Sequence, residues 1–233
     1  MWERSIFRDR AHAGALLAEK LGSYANRPDV IVLALPRGGV PVGFEVARAI
    51  NAPLDVFIVR KLGVPFQPEL AMGAIATGGI KVINNDVVES LRITSEELDS
   101  VAERELAELH RRERVYRGDR QAPVIEGKTI VLVDDGIATG TTMRAAIKAL
   151  RKQNPARIVA AVAVGPRSTF EELKEEVDEV VSIRTPETFY AISPWYEEFS
   201  QTTDEEVRDL LAKAASRNDT EARRDGGAAG SRR

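Results

Sequence analysis

The chain has 233 residues, of which 43% are hydrophobic and 30% charged, and its formal net charge is −3. This composition is typical of a globular domain, and the small net charge provides no general attraction to nucleic acid or to a membrane surface. Because the chain has no cysteine, a disulfide scaffold, a thiolate metal site and a cysteine nucleophile are excluded.

The two ends of the sequence differ in character from its middle. Charged residues fall within residues 1–14, where a signal peptide would have an apolar core, and no apolar run reaches about 18 residues. We therefore predict a cytoplasmic protein. From residue 216 onward the large apolar residues give way to Gly, Ala and charged residues, which predicts one domain over residues 1–215 and a disordered tail over residues 216–233.

Short apolar runs alternate with helical patterns along the rest of the chain. The runs predict strands at residues 30–35, 55–60, 129–135, 157–165 and 179–183. Helical spacing predicts helices at residues 41–50, 94–116, 141–153 and 168–177. Two of these helices begin with a capping-box pair, Thr94 with Glu97 and Ser168 with Glu171. The alternation predicts an α/β fold with a doubly wound, mainly parallel sheet.

The segment VLVDDGIATGTT, residues 131–142, places two adjacent acids at the end of an apolar strand. Asp134 and Asp135 would then lie beyond the carboxyl edge of the sheet, where open α/β sheets bind ligands. A turn rich in Gly and Thr leads from there into the next helix, and such a turn offers amides and hydroxyls to a phosphate. The residues of this turn are Gly136, Ile137, Ala138, Thr139, Gly140, Thr141 and Thr142.

A carboxylate pair beside a phosphate-binding turn favours one kind of ligand. The acids would repel a second phosphate, but they can accept hydrogen bonds from vicinal hydroxyls or bind a cation. A ribose 5-phosphate satisfies both halves, with its phosphate in the turn and its 2- and 3-hydroxyls on Asp134 and Asp135. An acidic turn that caps a helix accounts for one Asp and one Thr only. A Walker loop would need a Lys in the turn, and a dinucleotide site would need the GxGxxG spacing; both are missing here.

The same twelve residues resemble the phosphoribosyl pyrophosphate signature of type I phosphoribosyltransferases, an apolar strand followed by two acids and a Thr-Gly-x-Thr phosphate loop. The resemblance covers roughly residues 5–212 and is closest to a branch whose acceptor is undefined. It implies the parallel-sheet core of that family with a small hood, to which we assign residues 185–200. It also implies that the turn binds the 5-phosphate and that Asp134 and Asp135 orient the ribose during catalysis.

A second glycine-containing turn, in LALPRGGVPVGFEVA, follows the first predicted strand. Arg37 can make charge-assisted hydrogen bonds to phosphate oxygens, and the amides of Gly38 and Gly39 can face an anion. The glycines alone would also fit an ordinary tight turn. The family resemblance implies that Arg37, Gly38 and Gly39 bind the pyrophosphate.

Arg60 and Lys61 stand at the end of another predicted strand. They begin a Pro- and Gly-rich segment, residues 62–79, that is similar to the mobile catalytic loop of orotate-type phosphoribosyltransferases. By that resemblance the two basic residues neutralise charge on the leaving group, and the loop excludes water. An exposed basic pair at a strand end is also common without any catalytic role.

Aromatic residues gather after the last predicted strand. Tyr190, Trp195 and Tyr196 occupy the place where related enzymes carry a base-binding hood, which implies that they contact the acceptor. Stacking on a flat heterocycle and packing of the domain both remain open for them. Ala138 stands where 6-oxopurine enzymes have an Asp near purine N7, so this chain lacks their usual general base.

The resemblance implies Mg²⁺-dependent transfer of a 5-phosphoribosyl group from phosphoribosyl pyrophosphate to a nitrogen acceptor such as a nucleobase, with release of pyrophosphate. Mg²⁺ would be held mainly by the substrate diphosphate rather than by a dedicated protein site. The expected partners are the sugar diphosphate and a small acceptor, without nucleic acid or membrane, and a homodimer remains open. Two alternatives are a non-catalytic sensor of phosphoribosyl pyrophosphate or nucleotide on the same fold, and a hydrolase of phosphorylated sugars. The hydrolase leaves the Arg-Gly-Gly turn without a function.

Overall fold

The computed structural model describes residues 7–228, with side chains for residues 7–217. Eight strands lie in this range: β1 (Val30–Ala34), β2 (Leu54–Val56), β3 (Val59–Val64), β4 (Gln67–Ala76), β5 (Ile80–Ile83), β6 (Thr129–Asp134), β7 (Arg157–Val164) and β8 (Glu179–Arg184). The α-helices are α1 (Arg10–Lys20), α2 (Gly39–Ile50), α3 (Asn85–Ser90), α4 (Ser95–Arg117), α5 (Thr141–Arg151), α6 (Arg167–Leu173) and α7 (Asp204–Ala228). Among these helices, none combines the length and apolar character that a bilayer crossing requires.

Five parallel strands form the central sheet, in the order β2-β1-β6-β7-β8. Helices cover both faces, so a strand can be apolar at every position. In β1, Val30 and Val32 face a hydrophobic cluster that includes side chains from α1, α2, α4 and α7. Ile31 and Leu33 face a second cluster, which includes side chains from α5 and α6. The predicted doubly wound, mainly parallel sheet is confirmed.

A separate antiparallel sheet consists of β3, β4 and β5. The strand predicted at residues 55–60 is therefore wrong as one element, because β2 ends at Val56 in the central sheet and β3 begins at Val59 in the second sheet. Phe57 and Ile58, between them, are buried in opposite hydrophobic clusters. The sequence does not indicate this break between β2 and β3, because Phe57 and Ile58 are both large and apolar and continue the apolar run.

The Pro- and Gly-rich segment at residues 62–79, predicted as a loop, is largely a β-hairpin of β3 and β4. Its glycines allow the strands to approach closely. A Cβ at Gly63 would lie 2.5 Å from the carbonyl oxygen of Pro68, and one at Gly73 would lie 2.5 Å from that of Val82. Gly63 therefore allows β3 to pack closely on β4, and Gly73 allows β4 to pack closely on β5.

Of the two capping boxes predicted from the sequence, the structure confirms the one at α4 and not the one at α6. At α4 the capping box is confirmed: Thr94 Oγ1 accepts from the Glu97 amide at 3.2 Å, and Glu97 Oε2 accepts from the Thr94 amide at 2.9 Å. The box predicted at Ser168 is wrong, because α6 already begins at Arg167 and has no side-chain cap. α1 was not predicted, since small residues dominate its buried positions, Ala13, Gly14, Leu17 and Ala18.

The C-terminal helix α7 packs through Val207, Leu211 and Ala214 into the cluster shared with α2 and α4. It continues to Ala228, whereas the sequence predicts disorder from residue 216. The extension contains several good helix formers although it has no large apolar side chain. Residues 229–233 of the predicted tail lie outside the described residues, and the domain boundary at residue 215 stays a prediction.

Residues 185–200, assigned above to the hood, follow β8 as irregular chain with one short 3₁₀ turn, Ser193–Trp195. Phe7 and Tyr196 form a parallel β-bridge. The same two side chains belong to a third, smaller hydrophobic cluster, in which Ala13 and Val164 are also buried. The segment is thereby attached to the start of α1 and to the end of β7.

Candidate functional site

The carboxyl ends of β1 and β6 lie side by side at one edge of the central sheet. Ala34 pairs in register with Val133, and the Leu35 amide donates to the Val133 carbonyl at 2.9 Å. The segments that leave these two strands therefore enter the same space. In the first of them, the peptide bond between Pro36 and Arg37 is cis.

Gly38 and Gly39 bring the first turn into direct contact with the acidic segment. A Cβ at Gly38 would lie 2.7 Å from Asp135 Cγ, and a Cβ at Gly39 would lie 2.7 Å from the Val133 carbonyl oxygen. Both distances are too short for a real side chain, so only glycine permits this approach. The structure thus brings together the turn predicted to bind pyrophosphate and the acids predicted to bind ribose.

Asp134 and Asp135 have unequal surroundings. Asp134 Oδ1 accepts a hydrogen bond from the Asp135 amide at 2.9 Å. Burial, and then the charge of Asp135, raise the pKa of Asp134 well above its usual range. Asp135 Oδ2 instead accepts from Arg10 Nε at 2.6 Å, in a pair whose side chains are only 10% and 12% exposed. The pair therefore combines a directly ion-paired carboxylate with an acid whose pKa is raised.

Arg10 is a site residue that the sequence did not reveal. Its Nη1 donates to the Ser200 carbonyl at 2.6 Å, and its guanidinium carbon lies 4.0 Å from the Phe199 ring centroid. Arg10 is 125 positions away from Asp135 and belongs to no motif. No local pattern could have identified it, because its contacts arise only when α1 packs near the end of β6.

The three aromatic residues predicted to contact the acceptor have different environments. Tyr196 is buried, its hydroxyl donates to the Asp135 carbonyl at 2.6 Å, and burial raises its pKa. The enclosed ring of Tyr196 agrees with the packing alternative, its hydroxyl supports the Asp135 backbone, and its contact with the acceptor stays a prediction. Trp195 stacks on Phe189 with ring centroids 6.4 Å apart. Tyr190 is 88% exposed and remains open to ligand contact.

The turn after Asp135 presents backbone amides at the N-terminus of α5. Within the part of the chain that the structure describes, the amides of residues 138–143 have no protein acceptor. Gly140, at φ 71°, precedes the helix and makes no side-chain cap. The hydroxyls of Thr139 and Thr141 lie 2.9 Å apart, and both residues are exposed, as is Thr142. Free amides and hydroxyls at a helix N-terminus are suited to a phosphate.

Other residues of the predicted turn anchor it to the fold. The buried Ile137 donates its amide to the Val164 carbonyl at 2.9 Å, and the Ala138 carbonyl accepts from Thr169 Oγ1 at 2.8 Å. A Cβ at Gly136 would lie 2.7 Å from Ile192 Cγ2. Gly136 and Ile137 therefore help to anchor the turn, and their contact with the phosphate stays a prediction.

Arg37 lies beside the start of α7. Its Nη1 is 3.7 Å from Asp204 Oδ1, and both side chains are partly exposed. Asp204 also accepts from the Tyr116 hydroxyl at 2.8 Å, and burial together with this carboxylate raises the pKa of Tyr116 to about 12. Arg37 therefore has a long, exposed ion pair that an anionic ligand can replace.

Arg60 and Lys61 point into different surroundings although they are neighbours on β3. Arg60 donates from Nε and Nη2 to Glu105 Oε2 of α4, at 3.0 and 2.6 Å. Lys61 Nζ is 3.3 Å from the exposed carboxylate of Glu69. A groove of about 740 Å³ is lined by Lys61 and by the exposed residues of the turn, Thr139, Thr141 and Thr142. The structure thus brings Lys61, and not Arg60, to the groove beside the turn predicted to bind phosphate.

Known proteins share both the sequence and the architecture of this chain. The family profile of the phosphoribosyl transferase domain matches residues 5–199. Two Mycobacterium tuberculosis proteins, each named "Putative phosphoribosyl transferase", are 46% identical over 209 residues, which is 90% of this chain. The match covers 47% of each relative, so the chain spans about half the length of the curated relatives it matches.

The crystal structure of TT1426 from Thermus thermophilus aligns with 91% of this chain and 99% of its own, at 41% sequence identity and a TM-score of 0.79. The profile match and this structural likeness agree with the five-stranded parallel sheet and the additional three-stranded sheet. The chain therefore belongs to the type I phosphoribosyltransferase family.

Proposed function

We propose that this protein transfers a 5-phosphoribosyl group from phosphoribosyl pyrophosphate to a nitrogen acceptor, with release of pyrophosphate. The observation that carries the proposal is the contact between Gly38 and Asp135, where a Cβ would lie 2.7 Å from the carboxylate carbon. A ligand whose hydroxyls reach the acids must also approach the Arg-Gly-Gly turn. Phosphoribosyl pyrophosphate carries both a diol and a diphosphate.

Each part of this ligand has a matching group in the site. The 5-phosphate is assigned to the free amides of residues 138–142, and the ribose hydroxyls to Asp134 and Asp135. The diphosphate is assigned to the turn of Arg37, with the side chain exchanging its 3.7 Å contact with Asp204 for phosphate oxygens. Lys61 faces the same groove as the 5-phosphate turn and is assigned to the leaving group.

The reaction replaces one bond at ribose C1 by another. The lone pair of the acceptor nitrogen forms the C1–N bond, the C1–O bond breaks, and pyrophosphate leaves with its electron pair. The acceptor then gives up its proton to solvent. Positive charge develops on the ribose ring as the bond breaks, and we assign its stabilisation to the carboxylate of Asp135. Positioning and electrostatics supply the rate, and no covalent protein intermediate is required.

Mg²⁺ fits this site as a companion of the substrate. In residues 7–217 no group of three or more His, Asp or Glu side chains could hold a metal ion, and Asp135 already pairs with Arg10. Mg²⁺ characteristically keeps several waters and binds substrate phosphates, so the diphosphate would supply most of its ligands. When bound, it would neutralise charge on the diphosphate.

A pyrophosphate-release assay with Mg²⁺, phosphoribosyl pyrophosphate and a panel of nucleobases tests the proposal. We expect release that depends on one class of acceptor. In the variant D134N/D135N, the loss of ribose positioning should lower kcat/KM by roughly 100-fold or more. Asp119→Asn, at an exposed position outside the site, is the matched control and should retain full turnover. Unchanged turnover in D134N/D135N would contradict the assignment.

A second candidate is a non-catalytic sensor on the same fold, and the position of Arg60 favours it. Arg60 is held by Glu105 of α4 and does not line the groove beside the 5-phosphate turn. Direct calorimetric binding of phosphoribosyl pyrophosphate, measured beside the assay, separates the two. Tight binding without release for any acceptor identifies a sensor, whereas release without an acceptor identifies a hydrolase.

A further inference from the structure

We propose that Arg10 is a positioning residue that holds Asp135 in the orientation needed to bind the ribose diol. The proposal rests on the proposed function, since it concerns the carboxylate that we assign to the ribose. Arg10 is the first residue of α1 and makes the direct ion pair with this carboxylate, Nε to Oδ2 at 2.6 Å.

The guanidinium of Arg10 is itself fixed by other contacts. Its Nη1 donates to the Ser200 carbonyl at 2.6 Å, and its plane lies over the Phe199 ring at 4.0 Å. The start of α1 is also held, because the Asp9 side chain accepts from the His12 amide at 2.7 Å. A guanidinium held in this way can orient the carboxylate that it binds.

The ion pair leaves one oxygen of Asp135 available. Oδ2 is taken by Arg10, whereas Oδ1 has no N–H or O–H donor within residues 7–217, and the side chain of Asp134 lies beside this carboxylate. The Asp135 backbone is restrained as well, because its carbonyl accepts from the Tyr196 hydroxyl at 2.6 Å. Oδ1 is thus an acceptor with a fixed position, which a ribose hydroxyl can use.

Arg10 also counters a repulsion within the site. Asp134 and Asp135 are adjacent, and Asp135 lies against Gly38 with little room to turn away. A cation beside one of two neighbouring acids offsets their mutual repulsion. The guanidinium of Arg10 supplies that positive charge at Asp135, the carboxylate that we assign to the diol.

The test compares ligands that reach Asp135 with one that does not. Binding of phosphoribosyl pyrophosphate, ribose 5-phosphate and inorganic pyrophosphate is measured by calorimetry for the wild type, Arg10→Met and Arg10→Lys. In R10M we expect affinity for both ribose ligands to fall roughly tenfold or more, while pyrophosphate affinity changes less than about twofold. R10K should recover part of the loss, because one ammonium cannot replace both guanidinium contacts.

Arg48→Met is the matched control, because Arg48 likewise forms an ion pair with one carboxylate, donating from Nε and Nη2 to Glu45 Oε2, but the pair is more exposed. R48M should bind all three ligands as the wild type does. A rescue experiment uses Arg10→Ala, in which added guanidinium ion at millimolar concentration should restore part of the affinity for ribose 5-phosphate. The same addition should not change the affinity of R48M.

The outcomes separate this proposal from the function on which it rests. If the wild type binds neither ribose ligand, the proposed function fails and the assignment of Arg10 fails with it. If the wild type binds them and R10M binds them equally well, Arg10 alone is wrongly assigned. Equal weakening of all three ligands in R10M would also overturn the proposal, since it would show a general loss of structure.

Discussion

At the residue scale, the two adjacent acids of the site differ in what each can contribute. Asp135 is paired with Arg10, and Asp134 has a pKa that burial and the neighbouring charge raise. Gly38 lies directly against Asp135 and has no room for a side chain. The site therefore combines an acid whose pKa is raised with a glycine at which any side chain would meet Asp135.

Asp134→Asn should stabilise the fold at neutral pH. A raised folded-state pKa means that the native state binds more protons than the unfolded state above the ordinary Asp pKa of 3.8, so unfolding free energy is lost as pH rises. The neutral amide avoids this loss. For D134N we expect the free energy of unfolding to rise by roughly 0.5–2 kcal/mol at about pH 8 and by less at about pH 5, measured by urea denaturation. A gain that is larger at pH 5, or one reproduced by the exposed Asp119→Asn, would contradict this account.

Gly38→Ala should disrupt the acid pair. The added methyl would lie 2.7 Å from Asp135 Cγ, so either the turn or the carboxylate must move. We expect a loss of roughly 1–3 kcal/mol in unfolding free energy and at least tenfold weaker binding of phosphoribosyl pyrophosphate in calorimetry. Gly22→Ala is the control, because its Cβ would meet no atom within 4 Å. If G38A bound phosphoribosyl pyrophosphate with the affinity of the wild type, the turn or the carboxylate could move without affecting binding, which would contradict this prediction.

At the scale of secondary-structure elements, one buried ion pair fixes where the chain leaves the central sheet. Arg117, at the end of α4, donates from Nε to both oxygens of Asp55 at 3.0 and 2.8 Å, and from Nη2 to the Val56 carbonyl at 2.7 Å. Burial raises the pKa of Asp55 despite this cation. Because β2 ends at Val56, the pair joins α4 to the strand just before the second sheet begins.

Arg117→Met should therefore destabilise the protein strongly. It leaves the carboxylate of Asp55 buried without its partner, for which we expect a loss of roughly 3–5 kcal/mol in urea denaturation. The double variant D55N/R117M should recover part of that loss, because no charge remains at residue 55, although Glu113 still loses its ion pair with Arg117. Lys81→Met removes one partner of the exposed pair with Asp99, and we expect a change below about 1 kcal/mol. If R117M and K81M lost similar amounts of unfolding free energy, burial of the ion pair would not be the reason for the loss.

At the scale of the whole molecule, the site joins segments that are far apart in the chain. Asp135, in the loop after β6, is contacted by the start of α1, by the turn after β1 and by Tyr196. A ligand that bridges them stabilises the folded state as a whole. The location in the cytoplasm, the homodimer and the absence of nucleic-acid or membrane partners stay predictions.

Phosphoribosyl pyrophosphate should raise the melting temperature. Ligand at 100 times its Kd adds about 2.7 kcal/mol to the unfolding free energy, and each kcal/mol shifts the midpoint of a chain of this size by about 2–4 °C. We therefore expect a shift of roughly 5–11 °C in a thermal melt with Mg²⁺. D134N/D135N should show a much smaller shift at the same concentration. An equal shift of the melting temperature in the wild type and in D134N/D135N would show that the ligand binds away from these two acids.

The sequence by itself determined the features that depend on neighbours along the chain. Continuous apolar runs predicted the parallel strands because both sheet faces are covered, and the Thr94 box predicted the start of α4. The order of two acids and a Gly-Thr turn predicted a ligand site at the end of β6. These signals are readable because periodicity, capping and turn chemistry act over a few residues.

Only the tertiary structure decided which distant groups meet. It split the apolar run at residues 55–60 between two sheets, made a hairpin of residues 62–79, and turned Tyr196 inward onto the Asp135 backbone. It also brought Arg10 to Asp135 across 125 positions. Burial and ion pairing between remote segments depend on how helices and sheets pack, and no local pattern in the sequence carries that information.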